Sequence, residues 1–270
     1  MSLREYDLSF ESTTVHVVEA GDGPPVVLLH GSGPGVSVLG NFARIIEPLA
    51  ARYHVFGMDW IGFGRSGRLA RPPFFDPALW ERQLRFVLDE IAADAVGVVA
   101  HSIAAAIALR VAADDERIRG ILTTGAMGAP FPVNEYTRRV WSFPATRGDL
   151  RAALECLVYD RSLLTDAFVA DRFDHLQRGD YASYFTSMFA GDKQQYVDAA
   201  VVPPDVLRAV AVDVLMLHGR DDVAFPAASG TIALAPRLSR ADTWIVARCS
   251  HSIALEHPDK VIGAAAVLFR

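Results

Sequence analysis

Apolar and polar positions along this chain follow two different periods. The stretch VVLLH at 26–30 is an almost continuous apolar run, which is typical of a strand buried on both faces of a sheet. By contrast, 77–93 begins with proline and repeats Leu, Val and Ile at helical spacing, which predicts an amphipathic helix. The two kinds of stretch alternate over most of the chain. This pattern predicts an α/β fold with a mostly parallel central sheet and helices on both faces.

The alternation is interrupted once. A hairpin is predicted at 6–10 and 13–19, followed by strands at 26–30, 54–59, 95–100, 118–123, 212–217 and 242–247. Predicted helices cover 41–51, 77–93, 103–113, 150–159, 163–177, 181–190, 227–235 and 258–269. From about 129 to 210 there are aromatic-rich helical stretches and no buried-strand run, too many residues for a bare loop. We therefore predict one core built from 1–129 and 209–270, with a helical cap at 130–208.

Composition and charge narrow the class of protein. Hydrophobic residues make up 51% of the 270, enough for a large core, and the formal net charge is −6. This charge argues against nucleic-acid binding, because phosphate contacts require clustered basic side chains. The two cysteines, Cys156 and Cys249, cannot form a disulfide framework and fit a reducing compartment. Without a signal-peptide stretch or an apolar run near the ~20 residues of a membrane span, we expect a cytoplasmic protein that does not contact membranes.

A serine stands where a predicted strand passes directly into a helix. Residues 98–105 read VVAHSIAA, with Ser102 at the junction. This order is that of a nucleophile elbow, in which a tight turn projects the serine hydroxyl above the sheet at a helix N-terminus. Alanines replace the usual flanking glycines, so the motif alone fits equally well a serine that caps an alanine-rich helix.

A serine nucleophile requires a base, and the base requires an orienting carboxylate. After the strand predicted at 212–217 the chain reads HGRDD, which offers Asp221 or Asp222 as the acid. After the last predicted strand it reads RCSHS, which offers His251 as the base. Both loops follow strands at the ligand-facing edge of a parallel sheet, in the order serine, acid, histidine. Together they predict a Ser-His-Asp triad.

A glycine-rich turn, HGSGPG at 30–35, follows the strand at 26–30. Its spacing fits neither a dinucleotide-binding fingerprint nor a P-loop, because G-x-G-x-x-G and a Walker lysine are both missing. We expect the backbone N–H groups of Ser32 and Ile103 to form an oxyanion hole. His30 is expected to hold this turn by hydrogen bonding rather than to act as a base. His175 and His257 lack partners at ligand spacing, so neither a metal nor a cofactor is predicted.

These loops resemble the α/β-hydrolase superfamily along nearly the whole chain. The string at 30–35 is similar to that of the meta-cleavage product hydrolases, which cut carbon–carbon bonds in ring-opened aromatic compounds. Further matches to that subfamily are DWIGFGRS at 59–66, YDRSLLT at 159–165, GRDD at 219–222, and CSH at 249–251 with EHP at 256–258. The fold implied is the α/β-hydrolase fold with an inserted helical cap.

The resemblance assigns roles to further residues. It implies that Asp222 is the acid, that Asn41 lines the oxyanion side of the pocket and that Arg172 binds a substrate carboxylate. Other substrate-binding positions that it implies are Gly31, Gly33, His101, Trp141 and Ser252. Phe143, Phe173 and Phe189 are predicted as further pocket walls. The chain departs from the subfamily in having His101 in place of asparagine before the serine, and Ser252 in place of tryptophan after the histidine.

The resemblance implies a cofactor-independent hydrolase acting on a small anionic substrate. The expected reaction cleaves the C5–C6 bond of a 2-hydroxy-6-oxo-hexa-2,4-dienoate to a carboxylic acid and a 2-hydroxy-dienoate. Two alternatives remain open: a carboxylesterase or lactonase, favoured by His101 and Ser252, and a non-catalytic ligand receptor on the same scaffold. Assembly into a dimer or a larger homo-oligomer is also left open.

Overall fold

The computed structural model describes residues 3–269, which contain one eight-stranded sheet in the order β1-β2-β4-β3-β5-β6-β7-β8. The strands are β1 Arg4–Phe10, β2 Thr13–Ala20, β3 Pro25–Leu29, β4 His54–Met58, β5 Val96–His101, β6 Ile118–Thr124, β7 Asp213–Gly219 and β8 Ala241–Val246. β1 pairs antiparallel with β2, and β2 pairs antiparallel with β4, while every other pair is parallel. The predicted fold class and the predicted N-terminal hairpin are confirmed.

Helices cover both faces of this sheet. They are α1 Val38–Ala50, α2 Pro77–Ile91, α3 Ile103–Ala112, α4 Glu135–Val140, α5 Arg147–Glu155, α6 Asp166–Leu176, α7 Tyr181–Met188, α8 Gln194–Ala200, α9 Pro204–Ala209, α10 Thr231–Leu234, α11 Ile253–Glu256 and α12 Pro258–Leu268. α1 and α12 pack on one face, and α2 and α3 on the other. Short 3₁₀ turns occur at Arg161–Leu163 and Ala235–Arg237.

Local sequence explains where the core helices begin. Asp76 caps α2 by accepting a hydrogen bond from the Leu79 N–H, and Pro77 occupies the first helical position, where no N–H is needed. α3 is buried along its whole length except for Arg110, so small alanines allow it to lie directly against β5 and β6. The parallel strands that surround β5 are likewise buried on both faces, which is why their apolar runs were readable in the sequence.

Six helices, α4 to α9, follow β6 and precede β7, and we refer to residues 135–209 as the helical segment. Three of them, α4, α8 and α9, lie where the sequence predicted none. The helix predicted at 163–177 is divided, because Thr165 caps α6 and separates it from the preceding 3₁₀ turn. Outside the segment, the helix predicted at 227–235 is wrong over its first part, where the chain forms turns that close on the Pro226 carbonyl before α10 begins.

Candidate active site

The predicted site residues converge on a cavity at the carboxyl edge of the sheet, beneath the helical segment. The empty space between its lining residues, counted together with the open solvent at its mouth, is about 670 Å³. Of the twelve residues predicted for the triad, the oxyanion hole and substrate binding, ten line it: Gly31, Ser32, Gly33, Asn41, His101, Ser102, Trp141, Arg172, His251 and Ser252. Of the other two, Asp222 lies behind His251, and Ile103 begins the helix next to Ser102.

Ser102 occupies the turn between β5 and α3 in a strained conformation. Its φ of 60° and ψ of −123° are unusual for a residue with a side chain, and such strain is expected at a nucleophile elbow. The turn is fixed by two backbone hydrogen bonds, from the Ser102 N–H to the Thr124 carbonyl (2.9 Å) and from the Met127 N–H to the Ser102 carbonyl (3.1 Å). The hydroxyl makes no capping bond to α3, so helix capping does not account for this serine.

The buried carboxylate of Asp222 accepts three hydrogen bonds. His251 Nδ1 lies 2.7 Å from Oδ2, and the Phe225 N–H donates to Oδ1 over 2.8 Å. The third comes from His218, whose Nε2 lies 3.2 Å from Oδ2. Burial alone would raise the pKa of Asp222, but the adjacent His251 and the bonds from both histidines hold that pKa well below the usual carboxyl range. Asp222 is therefore ionised, and it fixes His251 with Nδ1 protonated and Nε2 free to take up a proton.

His218 was not assigned a role from the sequence. Its Nε2 faces two acceptors, Asp222 Oδ2 and the Phe225 carbonyl (2.8 Å), so this nitrogen must carry the hydrogen. Its Nδ1 lies 2.9 Å from the Thr231 hydroxyl, which fixes the other end of the ring. His218 thus supports Asp222 from behind. Its place at the end of β7, four residues before the acid, is the sequence signal that could have revealed it.

The imidazole of His251 packs against neighbouring residues. Its ring lies 4.6 Å from that of His101 and 4.5 Å from that of Phe225, measured between ring centroids. Gly125 approaches it from a third direction, and a Cβ at that position would lie 2.8 Å from His251 Nδ1. Because Gly125 also has a φ of +60°, only glycine fits there without strain.

The predicted oxyanion side of the cavity is formed by the turn after β3. The Gly31 N–H donates to Asn41 Oδ1 over 3.1 Å, which joins the turn to α1. The backbone N–H groups of Ser32 and Ile103 make no hydrogen bond with any residue between 3 and 269, so both remain available to a ligand oxygen. As predicted, His30 holds the turn, since its Nε2 accepts a hydrogen bond from the Trp60 N–H (3.0 Å).

Arg172 on α6 brings a positive charge to the cavity. Its Nε–H donates to the Pro34 carbonyl over 2.9 Å, which directs the guanidinium towards the turn at Gly33. Within residues 3–269 no carboxylate lies in ion-pair range of this group, although the residue is largely buried. Burial lowers the pKa of Arg172 to about 10, so the side chain stays charged at neutral pH. A buried cation without a counter-ion is costly, and an anionic ligand would remove that cost.

The remaining walls are apolar. Trp141 is fixed by a hydrogen bond from its Nε1–H to Ser32 Oγ (3.1 Å) and stacks on Phe189 at a centroid distance of 5.5 Å. Phe143, Phe173 and Phe189 were predicted as further walls and do not line the cavity; Phe189 lies behind Trp141, and the other two are only partly buried at the edge of the core. Side chains that the sequence missed take their place: Val140, Leu154, Leu157, Val158, Leu164, Phe168, Phe225 and Leu255.

One carboxylate joins the helical segment to the loop that carries His251. Glu256 accepts hydrogen bonds from the N–H groups of Tyr159 (2.6 Å) and Asp160 (3.0 Å) through Oε2, and from Ser250 (2.8 Å) through Oε1. The Ser252 N–H adds a bond to the Leu157 carbonyl (2.9 Å). The connection after α5 and the histidine loop are thereby tied together.

No group of three or more His, Cys, Asp or Glu side chains suited to holding a metal ion occurs in the described part of the chain. Among the helices of residues 3–269, none combines the length and the apolar character that a membrane crossing needs.

Comparison with known proteins places this geometry in a family. Residues 26–264 match the sequence model described as the alpha/beta hydrolase family, which spans the elbow, the acid loop and the histidine loop. The chain belongs to the alpha/beta hydrolase family. In this family the order serine, acid, histidine along the chain is the expected one, and the motifs at 98–105, 219–222 and 249–251 follow it.

Relatives with assigned activities resemble this hydrolase over nearly its full length. The 2-hydroxymuconate semialdehyde hydrolase of Pseudomonas sp. strain CF600 is 30% identical, with 91% of this chain and 86% of that protein covered. The 2-hydroxy-6-oxo-2,4-heptadienoate hydrolase of Pseudomonas putida F1 is also 30% identical, with 90% and 87% covered. The solved structure of the A129V mutant of CumD, a meta-cleavage product hydrolase of Pseudomonas fluorescens IP01, superposes with a TM-score of 0.93 at 27% identity, covering 98% of this chain and 97% of that one. The predicted resemblance to this subfamily is confirmed.

Proposed function

We propose that the protein hydrolyses the C5–C6 carbon–carbon bond of a 2-hydroxy-6-oxo-hexa-2,4-dienoate, the ring-opened product of aromatic meta-cleavage. The observation that carries this proposal is that one cavity holds Ser102, His251 and Arg172, a cation with no carboxylate in ion-pair range among residues 3–269. The guanidinium supplies the bidentate recognition that a carboxylate favours. The named activities of the relatives support the same substrate class.

In this proposal Ser102, His251 and Asp222 act as a triad. The dienol first becomes its keto tautomer, with C5 protonated and the C6 carbonyl at the oxyanion hole of Ser32 and Ile103. His251 then takes the proton of Ser102, or of a water molecule beside it, as the oxygen adds to C6. The C5–C6 bond breaks, its electron pair is delocalised into the α-keto acid to give the 2-hydroxy-dienoate, and water completes the carboxylic acid. Asp222 stabilises the imidazolium throughout.

We further propose that residues 130–208 act as a lid over a core formed by 1–129 and 209–270. The lid contributes Arg172, Trp141 and apolar side chains that exclude water from the substrate. Gly31, Gly33, Asn41, His101 and Ser252 contact the substrate from the core side. The partner is a small anionic molecule, and the reaction uses neither a cofactor nor a metal.

The first test is Ser102→Ala, assayed by loss of the visible absorbance of ring-opened dienoates. Turnover is expected to fall by roughly 10⁴-fold or more while the folded state and the binding of dienoate persist, because triad members act as a unit. Ser142→Ala, a change at an exposed serine outside the cavity, should retain parental rates. Parental turnover by Ser102→Ala would refute the nucleophile assignment.

A second candidate, a carboxylesterase, is favoured by one observation. His101 and Ser252 stand beside the serine and the histidine, where the resembled subfamily has asparagine and tryptophan, and both line the cavity. Cleavage of short 4-nitrophenyl esters without decay of dienoate would favour the esterase. Tight binding of dienoate without turnover of either substrate would favour a ligand receptor.

A further inference from the structure

His101, the residue before Ser102, is an imidazole whose hydrogen can be placed. Its Nδ1 lies 3.0 Å from the Thr124 carbonyl oxygen and 3.0 Å from the Thr124 hydroxyl. A carbonyl oxygen can only accept, so Nδ1 carries the hydrogen. The ring is 6% exposed, and burial together with the neighbouring His251 lowers the pKa of His101 well below its ordinary value. His101 is therefore neutral, and its Nε2 presents a lone pair.

This lone pair is available on the same side as the candidate nucleophile. Nε2 makes no hydrogen bond with any residue in the described range 3–269, although the ring lines the cavity. A Cβ added at Gly31 would lie 3.0 Å from Ser102 Cβ and 3.6 Å from His101 Nε2. The Ser102 side chain and His101 Nε2 therefore lie on the same side of Gly31. An acceptor that opens onto the cavity in this position can bind a donor that enters it, such as a water molecule.

His101 and His251 form a pair of imidazoles anchored in the same way. Each is held through Nδ1, one by the carbonyl of Thr124 and the other by the carboxylate of Asp222. Their rings lie 4.6 Å apart at an angle of 52°. The difference between the anchors sets the chemistry: a carboxylate stabilises a protonated His251, whereas a neutral carbonyl leaves His101 as a fixed acceptor.

We propose that His101 Nε2 accepts a hydrogen bond from the hydrolytic water molecule and orients it for attack, while His251 Nε2 takes the other proton of that water. A developing oxyanion would be repelled by the lone pair of His101, whereas a water molecule offers the O–H that this nitrogen lacks. The inference rests on the proposed roles of Ser102 and His251. It adds a second catalytic histidine that touches a reacting molecule.

The step balances as an ordinary deacylation. The water oxygen adds to the acyl carbon of the Ser102 ester, and one of its protons passes to His251 Nε2. The other proton stays on the new hydroxyl group, held by His101 Nε2, so His101 neither gains nor loses a proton overall. Collapse of the tetrahedral intermediate breaks the bond to Ser102, which recovers its proton from His251, and releases the acid.

The experiment uses 4-nitrophenyl acetate, because acetylation of the serine and its hydrolysis by water can be followed separately. Release of nitrophenolate in stopped flow reports acetylation, and intact-protein mass spectrometry reports decay of the acetyl-enzyme. Two variants distinguish the role of Nδ1 of His101 from that of Nε2. His101→Asn keeps a donor for the Thr124 carbonyl but cannot reach the position of Nε2, whereas His101→Gln places an amide oxygen near that position. Thermal unfolding establishes that both variants are folded.

We expect His101→Asn to acetylate within about threefold of the parent rate and to lose acetyl about tenfold or more slowly, as expected for one lost hydrogen bond in the hydrolytic step. His101→Gln should recover much of the deacetylation rate. Three results would each overturn the inference. They are equal slowing of both steps in His101→Asn, an unchanged deacetylation rate in His101→Asn, and faster deacetylation by His101→Asn than by His101→Gln.

If the parent is not acetylated at all, the nucleophile assignment fails and the inference fails with it. Decay of acetyl-enzyme as expected, without turnover of dienoate, would leave the inference intact and refute the proposed substrate.

Discussion

The sheet and the helical segment face each other across the cavity and contribute different kinds of side chain. The sheet edge supplies buried polar groups that hold one another: Asp222 accepts from His251, His218 and the Phe225 N–H. The segment supplies apolar walls and Arg172, a charge with no protein counter-ion in the described range. The carboxylate of Asp222 is thus satisfied by partners within the protein, whereas the charge of Arg172 has no counter-ion until an anionic ligand binds.

We therefore expect the sheet edge to determine the reaction rate and the helical segment to determine which ligand binds. A side chain that is fixed by several short hydrogen bonds changes its position when one partner is removed. Catalytic rates depend steeply on the positions of the reacting groups. Arg172 has no carboxylate partner in the described range, so we expect its substitution to affect mainly the binding of an anionic ligand. Substitutions on the two sides should therefore have effects that differ in kind as well as in size.

The largest effect is expected on the sheet side. Asp222→Asn should lower kcat on the order of 10³–10⁴-fold, because an amide cannot stabilise a protonated His251 and favours its wrong tautomer. The measurement is dienoate turnover across the neutral pH range. Asp221→Asn, a change at the adjacent carboxylate, serves as the matched control and should stay within about threefold of the parent. An equal loss in both variants would mean that the loop, rather than the carboxylate of Asp222, matters.

On the segment side, Arg172→Gln should act through binding. For an anionic dienoate we expect kcat/KM to fall by about a hundredfold, the order expected for a buried charge-assisted pair. For neutral 4-nitrophenyl acetate the same variant should be close to the parent. Arg178→Gln, an exposed arginine just beyond α6, is the control. An equal fall in kcat/KM for both substrates would mean that the bond from Arg172 to the Pro34 carbonyl is structural. The helical segment would then not act through ligand binding alone.

The smallest effect concerns the two cysteines, one on each side. Burial raises the pKa of both Cys156, which ends α5, and Cys249 in the histidine loop, so at pH 8 both remain thiols, the unreactive form. We expect native protein to be alkylated by iodoacetamide at least about tenfold more slowly than unfolded protein, and faster as the pH rises. Peptide mapping should find Cys156 modified before Cys249, which is fully buried. The reverse order would indicate that the sheet edge opens more readily than the segment.

The same division explains how much of the fold could be predicted. The strand predicted at 26–30 is observed at Pro25–Leu29, because a strand buried on both faces reads as a continuous apolar run. In the segment, the short helix α8 and its neighbour α9 were missed, since six or seven residues are too few to establish a helical period. Short helices are stabilised mainly by packing against the surrounding structure, and these packing partners cannot be identified from a single sequence.

Candidate site residues divide in a similar way. Ser102, Asp222 and His251 could be chosen because each follows a predicted strand in a characteristic order. The orientation of His101 depends on a contact between two strands, because its Nδ1 bonds to Thr124 on β6. The support that His218 gives to Asp222 depends on how the loop after β7 folds back on that strand.

The carboxylate of Glu256 gives the molecule a mechanical property. It holds Tyr159 and Asp160 with one oxygen and Ser250 with the other, so the helical segment and the histidine loop are coupled through one side chain. A displacement of the segment at this point would also displace the loop that carries His251. In the proposed mechanism, the position of the base therefore depends on the position of the proposed lid.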